Sequence, residues 1–573
     1  MLKKEVDKFN KQLKKKVSLL ESFENSNSEN DKKKEKKSFK NKTNAIILIT
    51  LALFILGGII FFIYKNKNIK MTNVNASYEE KRKNLINEIN KKKYKNEIFS
   101  SEEIKANDIF TNQIVPTFQF NEDFYYDMAI KYKKEIENNP FFKDIYEMPK
   151  GAILHLHIED CIDYIWLTEE CLKDENYKNI YLRDYTNQIK TLYPLRLIYT
   201  LTPRLTNETN KEGKILLKDT PLKELLNKYK ELNPNKTEYD YFHEHLSILP
   251  NEMEKIQTNS DVWTVFMPKY FFAYVLIHNP KFLRGHLLHT FRDNIKENIY
   301  RLESRARLGA LVDDNLNPIS IEEELQIYKE VINEIHKENS NFSYGMIIEM
   351  IRIQKEETIK SNIDKYYSLK STRPDLTDFI IAMDLSGDED HFKSFYELRE
   401  AMDVSEQLKQ KYGFYLPWIL HCGESIKYKN KNPIDGILRE SRRFGHGINL
   451  IKYPSILEEI KKKDYAIEVN MVSNQLLRNT RDLRLHPGIT YFNDGIKICL
   501  SNDDPTIYNT KGVSYDFFIA TVAGEFNLLD LKIICRNSIE SSIISEELKK
   551  KYLKSFEKDW KLFIDKFIKK YSK

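Results

Sequence analysis

From residue 148 to the C-terminus, short apolar runs alternate with helical stretches, and no other feature limits the available folds as much. Eight runs read as strands: 152–157, 299–305, 345–351, 379–385, 415–421, 442–446, 465–471 and 496–502. Amphipathic segments lie between several of them, as over 454–463. A chain that returns through a helix enters the next strand in the same direction, so the sheet is expected to be parallel. Eight such strands predict an α/β fold, a closed (β/α)8 TIM barrel. An open doubly wound sheet is the rival, but no Gly-x-Gly-x-x-Gly follows a strand. The first two strands stand too far apart for one crossover, so about 170–265 reads as an insertion.

Ahead of the barrel the composition changes three times. Residues 1–43 are polar and lysine-rich, as in a flexible tail. Residues 45–64 hold no charge and are mostly apolar, and at 1.5 Å per residue they span about 30 Å, the thickness of a bilayer's hydrocarbon. The run starts too late and is too long for a cleaved leader, so 44–64 reads as a transmembrane signal anchor. Seven lysines lie between Lys32 and Lys42, against Lys65, Lys67 and Lys70 beyond the span. That asymmetry puts the N-terminus in the cytosol and the rest in a lumen or outside the cell, a single-pass type II arrangement from which shedding could release the ectodomain. A polar stalk over 65–107 and an aromatic helical arm over 108–147 complete the approach to the barrel at 148–573.

The formal net charge of +6 is small for 573 residues and suggests no nucleic-acid partner. Five cysteines (161, 171, 422, 499 and 535) contain no Cys-x-x-Cys pair, which argues against a thiolate-ligated zinc and excludes the nucleobase deaminase signature.

The ends of the strands carry the chemistry. Met148-Pro-Lys-Gly-Ala-Ile-Leu-His-Leu-His157 closes the first, and alternation along a strand turns His155 and His157 the same way, within reach of one metal ion. The fifth ends in His421-Cys-Gly-Glu424, the sixth in Phe444-Gly-His446-Gly447 and the eighth in Ser501-Asn-Asp-Asp-Pro505. Active sites of such barrels lie at these strand ends. Three histidines and an aspartate suit a divalent metal such as Zn2+, leaving one position for water.

In order and spacing these motifs resemble the adenosine deaminases, and within them the extracellular adenosine deaminase-related growth factor group. Further matches are Trp263, Glu303-Ser-Arg-Ala-Arg-Leu308, Asp384-Leu-Ser-Gly387, Ser473-Asn-Gln475, Asp482-Leu-Arg-Leu-His-Pro487 and Gly512-Val-Ser-Tyr-Asp-Phe517, over roughly 118–573. The resemblance implies one zinc per chain held by His155, His157, His421 and Asp503, and hydrolytic deamination of adenosine or deoxyadenosine to inosine and ammonia. It implies that Glu424 is protonated and passes a proton to N1 of the purine, and that His446 orients the attacking oxygen or takes its proton. Asp504 is expected to accept a hydrogen bond from the N7 side of the ring, the Gly387 main chain to meet N3, and Trp263 to wall the nucleoside site. The group also implies a homodimer. The chain departs from the group at Ile158, where an acidic residue usually follows His-Leu-His; here Glu159 and Asp160 come next. Ile351 stands where a histidine is expected. Two rival readings are an AMP deaminase, which shares His-Cys-Gly-Glu and Asp-Asp-Pro, and a membrane-tethered growth-factor-like binding protein with a vestigial site.

Overall fold

A computed structural model describes residues 78–572, apart from 96, 127–128, 174–175, 177–179, 185–196, 201–203, 210–214, 217 and 316. The chain divides into two compact units, Met1–Glu88 and Ile89–Lys573. The tail at 1–43 and the expected anchor at 44–64 lie outside the described residues, among which no helix is long and apolar enough to cross a membrane.

Within the second unit the expected polar stalk already contains helix Ser101–Ile109. Ser100 and Glu103 cap it reciprocally, and Ala106 and Ile109, three residues apart on one face, are buried. So few apolar residues left no visible periodicity in the sequence. The aromatic arm is a series of short helices, ending in Pro140–Glu147, whose first turn Asn139 caps.

Eight parallel strands follow: β1 Gly151–Ile153, β2 Ile299–Ala306, β3 Ser343–Ile351, β4 Ile380–Ser386, β5 Leu420–Cys422, β6 Arg443–His446, β7 Ala466–Val469 and β8 Lys497–Leu500. They pair in chain order as two four-stranded sheets. A bridge between Met383 and Trp418 joins β4 to the approach to β5, and one between Leu156 and Asp503 joins the two ends, so the ring closes. Helices such as Ile321–Glu338, Glu356–Thr372 and Pro454–Lys462 return the chain between strands. Between β1 and β2 lie a three-stranded antiparallel sheet and several helices with their own buried cluster, including Leu167, Leu226, Phe242 and Phe272.

Five strands (β1, β5, β6, β7 and β8) are shorter than expected, and β1 and β5 fall short for visible reasons. Pro417 lacks an N–H for the ladder, so regular pairing of β5 starts only at Leu420, although the Pro417 carbonyl accepts from Met383 N at 2.9 Å. β1 stops at Ile153, and the next residues rejoin the ring through single bridges at Leu156 and His157. Before β1, Lys150 is buried and donates to the carbonyls of Tyr146, Met148 and Glu297 at 3.0–3.1 Å. Gly151 follows at φ +78, where a Cβ would meet the Cys535 carbonyl at 2.3 Å. Lys150 and Gly151 thereby pin the start of the segment that carries His155 and His157. All five cysteines are free thiols.

Candidate active site

The side chains from the strand ends meet at one mouth of the ring. His155 Nε2 lies 3.3 Å and His157 Nε2 3.4 Å from Asp503 Oδ1, and His157 Nε2 is 3.2 Å from His421 Nε2. His446 Nε2 stands 3.9 Å from Asp503 Oδ2 and 3.6 Å from Glu424 Oε1. His446 and Asp503 both hold left-handed main-chain conformations, φ 63 and φ 57, which few non-glycine residues adopt. Strain of this kind persists where the surroundings enforce it, and functional sites are where it clusters.

Three of the histidines are oriented alike. Their Nδ1 atoms face carboxylates: His155 Nδ1 with Glu468 at 2.7 Å, His157 Nδ1 with Glu349 at 3.0 Å, His421 Nδ1 with Asp384 at 2.6 Å. A carboxylate there takes the ring N–H and leaves a lone pair on Nε2, the arrangement that carboxylates hydrogen-bonded to the far nitrogen impose on metal-binding histidines. The lone pairs of His155 and His421 and the Asp503 carboxylate then face one another, and His155 Nε2 and Asp503 Oδ1 are buried without a hydrogen-bond partner. Burial works to lower the His157 imidazole, but Glu349 and Asp504 raise it well above its ordinary value, the mark of a site whose carboxylates call for a positive charge. Facing electron pairs repel unless a cation lies between them, so His155, His157, His421 and Asp503 fit a metal ion. The possible ligand atoms fall into two groups that share Asp503: His155, His421, His446 and Asp503 in one, and His157, Asp503 and Asp504 in the other.

Beneath these residues runs a buried chain of opposite charges. Arg305 donates to Asp384 and Glu468, Arg443 to Glu468 and Glu303, and Arg301 to Glu303, at 2.6–3.0 Å. Burial works to raise the Glu468 carboxyl, but Arg305 and Arg443 hold it far below the usual range. His421 and Arg305 do the same for Asp384. Sequence reasoning gave Glu349, Glu468 and Arg305 no role, nor Asp384, although two of them lie in quoted motifs. One signal was available for the three carboxylates: Glu349, Asp384 and Glu468 each interrupt an otherwise apolar strand, as in Ala466-Ile-Glu-Val469.

The metal-sized cluster floors a cavity of about 470 Å³. Glu424 and Gly387 line it, with Trp263, Phe266, Tyr270 and Phe392 as apolar wall and Glu159, Asp160 and Arg307 as polar wall. Ile158 is buried and does not line the cavity, whereas Ile351 does. The Glu424 and Gly423 main-chain N–H groups donate to Glu389 at 3.1 and 3.2 Å, which fixes the loop carrying Glu424. Burial, then the charges of Asp503 and Glu389, push the Glu424 carboxyl well above its ordinary value. Burial and Asp503 raise Asp504 to about 7. Burial lowers the His421 imidazole to about 4 and takes His446 well below its ordinary value, so both rings are neutral near pH 7.

The sequence profile described as "Adenosine deaminase" matches residues 235–559, more than half of the chain. The chain belongs to the adenosine deaminase family. It is 28% identical over 515 residues to adenosine deaminase 2 of Dictyostelium discoideum, covering 87% of this chain and 89% of that protein. It is 27% identical to adenosine deaminase 2-A of Danio rerio, covering 82% and 87%, and 28% identical to human adenosine deaminase 2, covering 76% and 81%. Within the family it stands with the adenosine deaminase-related growth factor group, as its motifs indicated. Members of the family are metal-dependent, and this site has a donor set to match.

Proposed function

We propose that this chain is a zinc-dependent hydrolase that deaminates adenosine, and deoxyadenosine, to inosine and ammonia. The observation that carries the reading is the convergence of three carboxylate-oriented histidines and Asp503 beside the buried Glu424 at the floor of the cavity. His155, His157, His421 and Asp503 would hold the metal, which when bound acts as a Lewis acid and brings the pKa of water towards neutrality. Glu424, kept protonated by burial and by neighbouring carboxylates, donates to N1 of the purine and leaves C6 electron-poor. His446 orients the oxygen that adds to C6, and the 6-amino group departs as ammonia. N7 of a neutral purine offers only a lone pair, so Asp504 is assigned as a donor instead of the acceptor expected from sequence. A carboxyl raised to about 7 can carry the required proton. Gly387, at φ +99, brings main chain to the cavity wall on the N3 side, and Trp263 adds to its apolar face.

A nucleoside is favoured over AMP. A buried 5′-phosphate needs matched cations. Among the described lining residues Arg307 is the one guanidinium or ammonium, and it faces Glu349 at 3.6 Å and the Tyr270 ring at 4.8 Å. Lys427 pairs with Asp390 and Lys431 lies over Tyr428, both away from the cavity lining. We also place the catalytic part on the lumenal or outer side of a membrane, anchored by 44–64, on the lysine asymmetry about that segment. The test is ammonia release by purified full-length protein on adenosine, deoxyadenosine and AMP, with metal content measured on the same sample. About one zinc per chain and a higher kcat/KM for adenosine are expected. A higher value for AMP overturns the substrate, and full activity without metal overturns the zinc.

A further inference from the structure

Two quoted motifs, Ser473-Asn-Gln475 and Asp482-Leu-Arg-Leu-His-Pro487, have no role in the mechanism above, yet both lead to His446. Its Nδ1 faces no carboxylate, unlike that of the other three site histidines. It faces two amides: Asn474 Nδ2 at 2.9 Å and Asn470 Nδ2 at 3.4 Å. The other end of the Asn474 amide, Oδ1, lies 3.0 Å from His486 Nε2. His486 Nδ1 in turn lies 3.0 Å from the main-chain N–H of Gly488. Asn474, His486 and His446 are each at most 1% exposed, so water cannot substitute for these contacts.

The order of donors follows from the one group that cannot turn over. A peptide N–H only donates, so His486 Nδ1 accepts and the His486 proton sits on Nε2. Nε2–H then donates to Asn474 Oδ1, which turns the Asn474 NH2 towards His446. His446 Nδ1 therefore accepts, and its proton sits on Nε2, facing Glu424 and Asp503. Were Asn474 reversed, its NH2 would point at the His486 N–H, donor against donor. Burial lowers the His486 imidazole to about 3, in keeping with a neutral ring.

We infer that Asn474 and His486 are positioning residues that lock His446 in the Nε2–H form, so that it presents a hydrogen-bond donor to the reacting oxygen; that oxygen's proton passes instead to the Glu424 carboxylate, ionised once it has protonated N1, and leaves on the departing amino group. This resolves the two roles the resemblance left open for His446, and it rests on the proposed deaminase reading. It also separates His446 from the metal-binding set, whose Nε2 atoms are left as lone pairs by their carboxylates.

The test compares full-length Asn474→Asp with Asn474→Ala. Aspartate has the shape of asparagine but only accepts, so it draws the His446 proton to Nδ1; alanine leaves the ring unlocked. Asn474→Asp should lose kcat by about 100-fold or more, at least about tenfold beyond Asn474→Ala, with KM and metal content near wild type. A residue that merely fills space would show the opposite order. Asn474→Asp at or above the activity of Asn474→Ala overturns the inference. A second arm does not depend on Asn474 variants folding. His486→Gln keeps an N–H for Asn474 and should hold kcat within about threefold, while His486→Leu should lose about tenfold or more. Equal losses in these two also overturn it. The lock has a readout apart from activity: in metal-free wild-type protein labelled with 15N-histidine, the signal lost in His446→Gln should be an unprotonated Nδ1. A protonated Nδ1 refutes the lock. An unprotonated one in a protein inactive on every nucleoside would leave the lock standing and remove the deaminase reading.

Discussion

Glu468→Gln measures what the buried charge chain contributes. Glu468 is fully buried and accepts from His155 at 2.7 Å, Arg305 at 2.7 Å and Arg443 at 2.6 Å. The chain consists of three arginines (301, 305, 443) and three carboxylates (303, 384, 468), so its charges balance. Glutamine keeps the shape and removes one negative charge. It also turns an NH2 towards a guanidinium or the His155 ring, donor against donor. Breaking a buried pair by removing one partner costs about 3–5 kcal/mol, because the other charge stays buried. Arg443 keeps Glu303 and Arg305 keeps Asp384, which places the expectation near the lower end, about 3 kcal/mol. Losing the carboxylate behind His155 should also weaken metal binding about 10- to 100-fold. Urea denaturation of full-length protein, with and without added zinc, reads the first effect, and chelator competition reads the second. A loss below about 1 kcal/mol together with unchanged metal affinity would falsify the view that Glu468 balances the arginines and orients His155.

Other outcomes can be set beside this one. Glu424→Gln should lower kcat by about 10²–10⁴-fold with metal retained, and activity within about threefold of wild type would mean that another group supplies the proton. Glu324 is buried, accepts from Gly309 N at 2.7 Å, and burial raises its carboxyl to about 7. The folded state then holds this proton longer than the unfolded chain, so stability falls as pH rises from about 4.5 to 7. Glu324→Gln should therefore stabilise the protein by up to about 3 kcal/mol at pH 8, with the gain vanishing below about pH 4.5. A pH-independent difference between the two unfolding curves would refute that assignment. For the anchor, a tag at the N-terminus should resist protease in sealed vesicles oriented with the lumen outward, and a C-terminal tag should be digested; the reverse pattern rejects the orientation.

The strands and the residues at their ends were legible in the chain because both obey local rules. An apolar run bounded by turn residues makes a strand wherever it is placed, and all eight runs overlap observed strands. His421 and His446 lie at the ends of their strands, and His155, His157, Glu424 and Asp503 follow theirs within a few residues, so a closed ring brings them together. The short strands β1 and β5 were less legible, since Pro417 and the irregular stretch after Ile153 interrupt ladders that hydrophobic pattern alone would extend. What only the tertiary structure decided is the chemical state of those groups. Whether a histidine offers a lone pair or a proton depends on what faces its other nitrogen. For His155 that is Glu468, more than 300 residues away in the chain, and for His446 it is an amide held by His486. Glu424 is likewise an ordinary carboxylate in sequence, and only burial and Asp503 push its carboxyl well above the ordinary value. Side-chain identity is local information, whereas proton positions and charge balance are set by contacts between distant parts of the chain in a medium from which water is excluded.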